Sequence, residues 1–274
     1  MTGVVRKHAG VLGRPIGYSL SPVLHRAAYA ELGLDWSYDA IDCGVAELHA
    51  VLAERADWAG FSATMPLKDA LLAVAAQVRQ SAADVGAANT LLPGSDGWVA
   101  DNTDVPGIIA ALAERGVAPR AVTILGAGGT ARAALAALRT LGVERCRVLV
   151  RDKSRAAALL ACAARLGVEV TLGALDVRSA SLDADLVVST LPPGAADPLA
   201  DRAWRAEQSV LDVVYAPWPT PLAAAAAEVG ARIVSGALLL LHQAARQVEL
   251  MTGCAAPVDA MRAALQRAAP GCGV

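Results

Sequence analysis

The residues with the clearest chemical pattern are the glycines of a turn in the middle of the chain. Residues 126–131 have the spacing Gly-x-Gly-x-x-Ala, follow the apolar run Val122–Leu125 and precede a helix-forming stretch over 132–141. A strand, a glycine turn and a helix in this order are typical of the first unit of a dinucleotide-binding fold. The glycines let the backbone approach a pyrophosphate, and the helix N-terminus supplies N–H groups and a positive dipole. The turn therefore predicts a nucleotide site.

Two arginines follow the next strand of this unit. Arg151 comes directly after the apolar residues 148–150, and Arg155 lies four residues further along. An acidic residue at such a strand end binds a ribose 2′-hydroxyl and favours NAD, whereas an arginine pairs with the 2′-phosphate of NADP. The arginines thus favour NADP. Asp152 could instead satisfy either arginine, and an ordinary solvated charge cluster is the alternative interpretation.

A lysine and an aspartate could form a proton-transfer pair. Lys68 follows a proline turn, and Asp104 comes at the start of a predicted helix over 104–114. Each has an ordinary interpretation by itself, since the lysine could lie at the surface and the aspartate could cap the helix. At loop ends of one sheet they could act together, because an ammonium can polarise a carbonyl and donate a proton.

Two serines near the N-terminus could hold a small carboxylate. Ser19 and Ser21 are two residues apart, and Pro22 follows them. The Ser-Pro pair also predicts the N-cap and first position of a helix extending to about residue 32. Capping alone explains Ser21 equally well, so both interpretations stay open at this point.

The elements that must position these residues alternate between strands and helices. In the first half we predict strands at 9–13, 36–41, 58–64, 89–92 and 97–100, and helices at 22–32, 46–55 and 69–78. In the second half the predicted strands are 122–125, 147–150, 185–189, 210–214 and 232–234, with final helices at 237–252 and 257–268. The later strands are apolar on both faces, as buried parallel strands are. The pattern predicts an α/β protein.

The position of the glycine turn predicts two domains. About 120 residues precede the nucleotide-binding unit, too many for a linker, so they should form a separate layer that brings the substrate. We predict an N-terminal α/β substrate domain over 1–103, completed by C-terminal helices over 238–274. A Rossmann-like dinucleotide-binding domain should occupy 104–237.

The composition excludes several function classes. The net charge is −2 without a Lys/Arg cluster, which argues against a nucleic-acid partner. The five cysteines include no Cys-x-x-Cys pair and favour reduced thiols, and the four histidines lack metal-ligand spacing. No charge-free apolar run has the length of a membrane span, and no apolar signal core follows Arg6 and Lys7. We therefore expect a cytoplasmic protein that binds neither metal nor membrane.

Taken together, these segments resemble the shikimate dehydrogenase family, in the same order along nearly the whole chain. The family patterns are Gly-x-Pro-Ile-x-His-Ser-x-Ser-Pro-x-x-His, Asn-Val-Thr-x-Pro-x-Lys, Gly-Ala-x-Asn-Thr, Asn-Thr-Asp-x-x-Gly and Asp-x-x-Tyr-x-Pro-x-x-Thr-Pro-Leu. Their counterparts here are residues 13–25, 62–68, 86–90, 102–107 and 212–222. With the glycine turn, six motifs stand in register, which is far more specific than the turn alone.

The resemblance implies a role for each site residue. Lys68 and Asp104 would be the catalytic pair. The substrate would be bound by the serines that hold its carboxylate, by the residues that contact its ring hydroxyls and by a tyrosine lining the site: Ser19, Ser21, Thr64, Lys68, Asn89, Asp104, Tyr215 and Gln243. The cofactor would be contacted by Gly126, Ala127, Gly128, Gly129, Thr130, Arg151, Arg155, Val213 and Gly236.

The chain departs from the family pattern at a few positions. Tyr18 replaces the histidine before the first serine, and 150–152 is Val-Arg-Asp where Asn-Arg-Thr is usual. Relatives that prefer NAD tend to have an acid where Val150 stands, so its absence favours NADP, while Asp152 weakens that preference. Leu238 and Leu239 replace a glycine and a methionine near the expected nicotinamide edge.

The resemblance implies the NADPH-dependent, reversible reduction of 3-dehydroshikimate to shikimate, in aromatic amino acid and chorismate biosynthesis. The closest alternative is a quinate/shikimate dehydrogenase with looser substrate and cofactor choice. An alternative of another class is a catalytically silent NADP-binding sensor. Intact Lys68 and Asp104 argue against the sensor. The expected partner is a small-molecule substrate, and the chain would be a monomer or a homodimer.

Overall fold

The computed structural model describes residues 6–176 and 182–274, and its contacts divide the chain into two compact units. The first unit comprises the chain up to Thr103 together with Leu241–Pro270, and the second comprises Asp104–Leu240 and Gly271–Val274. Our predicted boundary at 237/238 placed residues 238–240 and 271–274 in the first domain. They group with the second unit because Ser235 Oγ accepts the Leu238 N–H at 3.1 Å and bonds the Gly273 carbonyl, also at 3.1 Å.

The first unit contains a mixed six-stranded sheet. Its strands are β1 (Lys7–Gly13), β2 (Trp36–Asp42), β3 (Gly60–Ala63), β4 (Gln77–Val78), β5 (Thr90–Gly94) and β6 (Gly97–Asp101), in the order β2-β1-β3-β5-β6-β4. Strands β1, β2 and β3 are parallel, and β5 runs antiparallel to both of its neighbours. Aromatic rings pack against this sheet, with Trp58 stacked on Phe61 at 5.2 Å between ring centroids.

The helices of the first unit are α1 (Ser21–Glu31), α2 (Leu48–Ala53), α3 (Leu71–Val74), α4 (Gln80–Val85) and, near the C-terminus, α10 (Val258–Ala268). The predicted helix over 69–78 is wrong, because only four of its residues are helical and Gln77–Val78 pairs with Val99 and Ala100 as strand β4. The predicted N-cap role of Ser21 is also wrong. Leu20 is the N-cap, Ser21 is the first helical residue, and Ser19 Oγ accepts the Ser21 N–H at 3.3 Å.

The second unit contains a parallel six-stranded sheet. Its strands are β7 (Val122–Leu125), β8 (Arg145–Val150), β9 (Glu169–Ala174), β10 (Leu186–Ser189), β11 (Ser209–Asp212) and β12 (Arg232–Ser235). The order β12-β11-β10-β7-β8-β9 is that of a doubly wound dinucleotide-binding fold, with the switch point between β7 and β10. All residues of β7, β10 and β11 are buried, as their apolar sequences predict.

The helices of the second unit are α5 (Asp104–Glu114), α6 (Gly129–Thr140), α7 (Ala157–Leu166) and α8 (Pro221–Glu228), with a 3₁₀ turn at Lys153–Ala156 and another at Asp197–Leu199. Helix α9 (Gly236–Thr252) begins in this unit and ends in the first. Within the described residues, no helix combines the length and apolar character needed to cross a bilayer. No group of three metal-ligating side chains is placed to hold an ion in those same ranges.

Candidate active site

Four of the recognised motif segments meet at one edge of the first sheet. Parallel strands β1 and β3 end there at Gly13 and Ala63, and the segments with Ser19 and Lys68 follow them. Strand β5 is antiparallel to β3, so it begins at this edge, with Thr90 opposite Ser62. Strand β6 is antiparallel to β5 and therefore ends there. The topology thus gathers residues that are distant in sequence.

Backbone hydrogen bonds fix these turns to one another. The Asn89 carbonyl accepts the Ala63 N–H at 2.8 Å, and the Lys68 carbonyl accepts the Ala88 N–H at 2.8 Å. The Thr64 N–H donates to the Leu12 carbonyl at 2.9 Å. Thr64, Lys68 and Asn89 therefore lie in neighbouring turns. The Lys68 and Thr64 side chains are half-buried, whereas Asn89 is buried.

The serine turn presents one half-buried and one buried hydroxyl. Ser19 is half-buried and its N–H donates to the Ile16 carbonyl at 3.0 Å, while Ser21 is buried at the start of α1. Since Ser21 does not cap the helix, capping no longer explains this serine. Tyr18, which replaces the family's histidine, is 53% exposed.

Asn89, Thr103 and Gln243 form a buried amide cluster. Asn89 Nδ2 donates to Thr103 Oγ1 at 3.0 Å and to Gln243 Oε1 at 3.3 Å. Asn89 Oδ1 accepts the Thr103 N–H at 2.8 Å. All three side chains are buried. The structure thus brings together two predicted substrate residues, Asn89 and Gln243. It adds Thr103, which was not predicted as a site residue although it lies inside a recognised motif.

A second layer of buried polar side chains supports this cluster. Gln247 Nε2 donates to the Asn89 carbonyl at 3.2 Å and to Thr90 Oγ1 at 3.0 Å. Its Oε1 lies 3.4 Å from His25 Nε2. The His25 ring stacks on Tyr38 at 3.9 Å between centroids, and burial lowers the pKa of His25 to about 3, so the imidazole is neutral. Gln247 could have been found from its spacing, because it stands one helical turn after Gln243.

The glycine turn lies at the carboxyl end of β7, beside the switch point of the second sheet. Gly126 has φ +103°, and a Cβ there would stand 2.6 Å from Thr190 Oγ1, so only glycine fits. Gly128 caps α6 without a side-chain bond, and a Cβ there would meet nothing within 4 Å. The first turn of α6, which begins with Gly129 and Thr130, has no acidic residue. Together with half-buried Ala127, this arrangement could hold an anion at the N-terminus of α6.

The arginines stand at the carboxyl end of β8, the strand next to β7. Arg151 is exposed and its guanidinium has no ion-pair partner within 6–176 and 182–274. Asp152 Oδ1 accepts the Ser154 N–H at 2.9 Å and the Ser154 hydroxyl at 2.6 Å. These bonds, with a smaller contribution from Arg155, hold the pKa of Asp152 below its ordinary value. Asp152 therefore caps the following turn rather than occupying Arg151.

The motif over 212–222 stabilises the carboxyl end of β11. Buried Asp212 accepts the Thr220 hydroxyl at 2.7 Å and the Val214 N–H at 3.2 Å. Burial raises the pKa of the Asp212 carboxyl, and these hydrogen bonds act against that rise. Thr220 also caps α8 by accepting the Ala223 N–H at 3.1 Å. The segment between them contains Val213 and half-buried Tyr215, two predicted site residues.

Gly236, the first residue of α9, packs directly on this segment. A Cβ there would stand 2.1 Å from the Val213 carbonyl oxygen, so the close approach requires glycine. Leu238 and Leu239, the departures from the family pattern, are both buried. Val213 and Gly236 are thereby in contact at neighbouring strand ends, and their common role at the cofactor stays a prediction.

Asp104 is the first residue of α5 and of the second unit, and it is buried. Its carboxylate stands in the first turn, where the helix dipole favours negative charge. The predicted partner Lys68 belongs to the first unit. Their assignment as a catalytic pair stays a prediction.

Two family models match: "Shikimate dehydrogenase substrate binding domain" over residues 11–91 and "Shikimate 5'-dehydrogenase C-terminal domain" over residues 237–266. A shikimate dehydrogenase (NADP(+)) of Halobacterium salinarum is 38% identical, over 94% of this chain and 97% of the relative.

Solved structures of shikimate dehydrogenases are also similar to this chain. The shikimate dehydrogenase of Mycobacterium tuberculosis has a TM-score of 0.85 and 45% identity, over 95% of this chain and 99% of that one. The Thermus thermophilus shikimate 5-dehydrogenase, solved with NADP(H) and shikimate, has a TM-score of 0.82 and 33% identity, over 96% and 99%. Because the likeness extends over nearly all of each protein, the chain belongs to the shikimate dehydrogenase family.

Proposed function

We propose that this chain catalyses the reversible, NADPH-dependent reduction of 3-dehydroshikimate to shikimate. The observation that carries the proposal is the likeness to the family over nearly the whole chain, with the six recognised motifs at the strand ends of the two sheets. The NADP(+) shikimate dehydrogenase of Halobacterium salinarum and the Thermus thermophilus structure with NADP(H) and shikimate support the same cofactor and substrate.

The residues of the second unit fit NADP. Gly126 and Gly128 would let the pyrophosphate approach the N-terminus of α6, and Gly236 would let the backbone of α9 lie against Val213. Arg151, which has no competing ion pair within the part of the chain that the structure describes, would bind the 2′-phosphate, with Arg155 beside it. When bound, NADPH supplies the hydride for the ring ketone.

Lys68 would supply the proton for the ketone oxygen. As negative charge develops on that oxygen, an ammonium stabilises it and donates a proton in the same step. Asp104 would orient the Lys68 ammonium and would also bind a ring hydroxyl. Electron and proton balance follow, since one hydride and one proton convert the ketone to the alcohol.

The other residues of the first unit would orient the ring. Ser19 and Ser21 would donate hydroxyl hydrogen bonds to the substrate carboxylate, and Thr64, Asn89 and Gln243 would contact ring hydroxyls, with Tyr215 lining the site. Correct placement of the ring reduces the entropic cost of the reaction. A quinate/shikimate dehydrogenase with looser choice is the second candidate, favoured by the departures at Tyr18, Asp152 and Leu238.

Incubation of the purified chain with NADPH and 3-dehydroshikimate tests the proposal. We expect consumption of NADPH and formation of an equal amount of shikimate, identified by chromatography against a standard. Omission of 3-dehydroshikimate should stop NADPH consumption. Binding of NADPH without turnover of 3-dehydroshikimate or of 3-dehydroquinate would support the silent sensor instead.

A further inference from the structure

The buried amides of the first unit have hydrogen-bond directions that their neighbours determine. Gln247 contacts the main-chain carbonyl of Asn89, which can only accept, so the Gln247 atom at that contact is Nε2. Its Oε1 then faces His25 at 3.4 Å, and the neutral imidazole donates from Nε2. His25 Nδ1 is left to accept from the Tyr29 hydroxyl at 3.4 Å.

The same reasoning determines the orientation of Asn89. Thr90 Oγ1 accepts from Gln247 Nε2 at 3.0 Å and therefore directs its own hydrogen to the Asn89 side chain, 2.9 Å away. The Thr103 N–H points at the same Asn89 atom from 2.8 Å. Both neighbours are donors, so this atom is the oxygen, and Asn89 Nδ2 lies on the other side.

The orientation of the Asn89 amide in turn determines that of the Gln243 amide. Asn89 Nδ2 faces Gln243 at 3.3 Å, and Thr103 Oγ1 lies 3.4 Å from the same Gln243 atom. An atom that faces an N–H₂ group must accept, so it is Oε1. Gln243 Nε2 is consequently directed away from Asn89. Every side chain of this series is buried, where an unsatisfied polar atom is costly, so a flipped amide is disfavoured.

We propose that Thr103 and Gln247 are positioning residues, which fix the amides of Asn89 and Gln243 so that Gln243 meets a substrate oxygen as an N–H donor. The inference rests on the proposed function, in which Gln243 contacts a ring hydroxyl. In this arrangement the substrate hydroxyl is recognised through its oxygen lone pair. Thr103 and Gln247 would act through these amides and not through a contact of their own with the substrate.

The isosteric substitution Thr103→Val tests the inference, because it removes the hydroxyl and keeps the shape and the backbone N–H. We expect the shikimate KM to rise roughly three- to tenfold, the effect of one neutral buried hydrogen bond. The NADP KM should stay within about twofold. Thr103→Ser restores the hydroxyl and should recover most of the affinity, while Thr140→Val, whose hydroxyl bonds only its own helix, should resemble the unsubstituted chain.

A double substitution separates positioning from a general structural role. In a Gln243→Ala chain one of the two positioned amides is missing, so Thr103→Val should raise the shikimate KM by a smaller factor than it does in the unsubstituted chain. A loss that is equally large in both backgrounds would overturn the inference, as would an equal rise of the NADP and shikimate KM values.

Gln247→Met supplies a second variant if Thr103→Val fails to fold. It removes both hydrogen bonds from Gln247 at similar volume and should show the same dependence on Gln243. Unchanged shikimate KM in both folded variants would overturn the inference. Absence of shikimate oxidation by the unsubstituted chain would contradict the proposed function itself, and with it this inference.

Discussion

The Arg151 guanidinium carries the choice of cofactor in this account. It is exposed at the carboxyl end of β8, and Asp152, which could have neutralised it, is engaged by Ser154 instead. The carboxylate of Asp152, the next residue in the chain, still reduces the positive charge around Arg151. Preference for NADP over NAD should therefore depend on Arg151 first and on Arg155 second.

Arg151→Ala should raise the KM for NADP roughly ten- to a hundredfold and leave the KM for NAD nearly unchanged. A charge-assisted hydrogen bond to a phosphate is worth about 1.5–3 kcal/mol, and NAD lacks that phosphate. Steady-state kinetics with both cofactors measure this. Arg145→Ala, at the other end of the same strand, is the matched control. Equal effects on both cofactors would exclude this role of Arg151.

Lys68→Ala should lower kcat by about 10²–10⁴ with a smaller change in the shikimate KM, because the ammonium is needed most in the transition state. Asp104→Asn keeps the shape but removes the charge, and it should lower kcat as well. The double variant should lose less than the product of the two losses, since the proposed catalytic pair would act as one unit.

Lys7→Ala, another lysine of the first unit, controls for loss of a positive charge and should leave kcat intact. A Lys68→Ala chain with a normal kcat and a raised shikimate KM would make Lys68 a binding residue. The proton would then come from another donor, most simply water.

At the scale of elements, two glycines of the turn lack a side chain for different reasons, one structural and one related to the proposed cofactor site. Gly126 is required by its backbone conformation and by Thr190, whereas Gly128 has ordinary dihedral angles and open space in front of it. The two glycines thus have different reasons for lacking a side chain. Gly126 allows the backbone to form the turn, and Gly128 leaves open space in front of the N-terminus of α6.

Gly128→Ala should raise the KM of both cofactors while leaving the thermal midpoint nearly unchanged, because its methyl group would enter only the open space proposed for the pyrophosphate. Gly126→Ala should instead destabilise the fold by about 1–3 kcal/mol, the cost of a strained backbone. Thermal unfolding and cofactor titration distinguish the two. A Gly128→Ala chain with normal cofactor affinity would show that the pyrophosphate binds elsewhere.

The elements that the sequence predicted well have strong, uninterrupted signals. The prediction of β7 and of α5 with its stop at Gly116 is confirmed, because buried apolar runs and a glycine with φ +63° leave little choice. Strand β9 was not predicted, since it is an edge strand whose residues alternate without a clear apolar run. Strand β4 has two exposed residues and forms only because it pairs with β6.

The site residues likewise divide into those that the sequence predicts and those that depend on tertiary contacts. The motif residues were found by resemblance, and the spacing from Gln243 points to Gln247, but the bonds that Thr103 and Gln247 make to Asn89 are known only from the structure. The Ser21 cap was wrong because a Ser-Pro pair fits either side of a helix start, and the choice depends on Ser19. Tertiary contacts, which a single sequence does not contain, decide such cases.

At the scale of the whole molecule, His25 should make stability depend on pH. Its pKa is lowered by burial to about 3 in the folded chain, whereas it returns to about 6.5 on unfolding. Between these values the unfolded state binds a proton that the folded state does not, so stability rises with pH up to about 6.5 and is complete above it. This stability is lost as the pH falls.

At pH 5 the contribution of His25 is on the order of 2 kcal/mol less than at pH 7. Calorimetric unfolding at both pH values should show a smaller loss for His25→Gln than for the unsubstituted chain. His49→Gln, an exposed histidine, should keep the original pH dependence. Identical slopes for all three chains would mean that His25 binds a proton equally well in the folded and unfolded states.

The central claim is that this chain is an NADP-dependent enzyme for shikimate rather than a binding protein or a dehydrogenase of looser choice. It is tested most directly by kcat/KM for shikimate and quinate, each with NADP and NAD. The account predicts the highest value for shikimate with NADP, at least roughly tenfold above each other pair, a difference of about 1.4 kcal/mol. Equal values for quinate, or a preference for NAD, would contradict it.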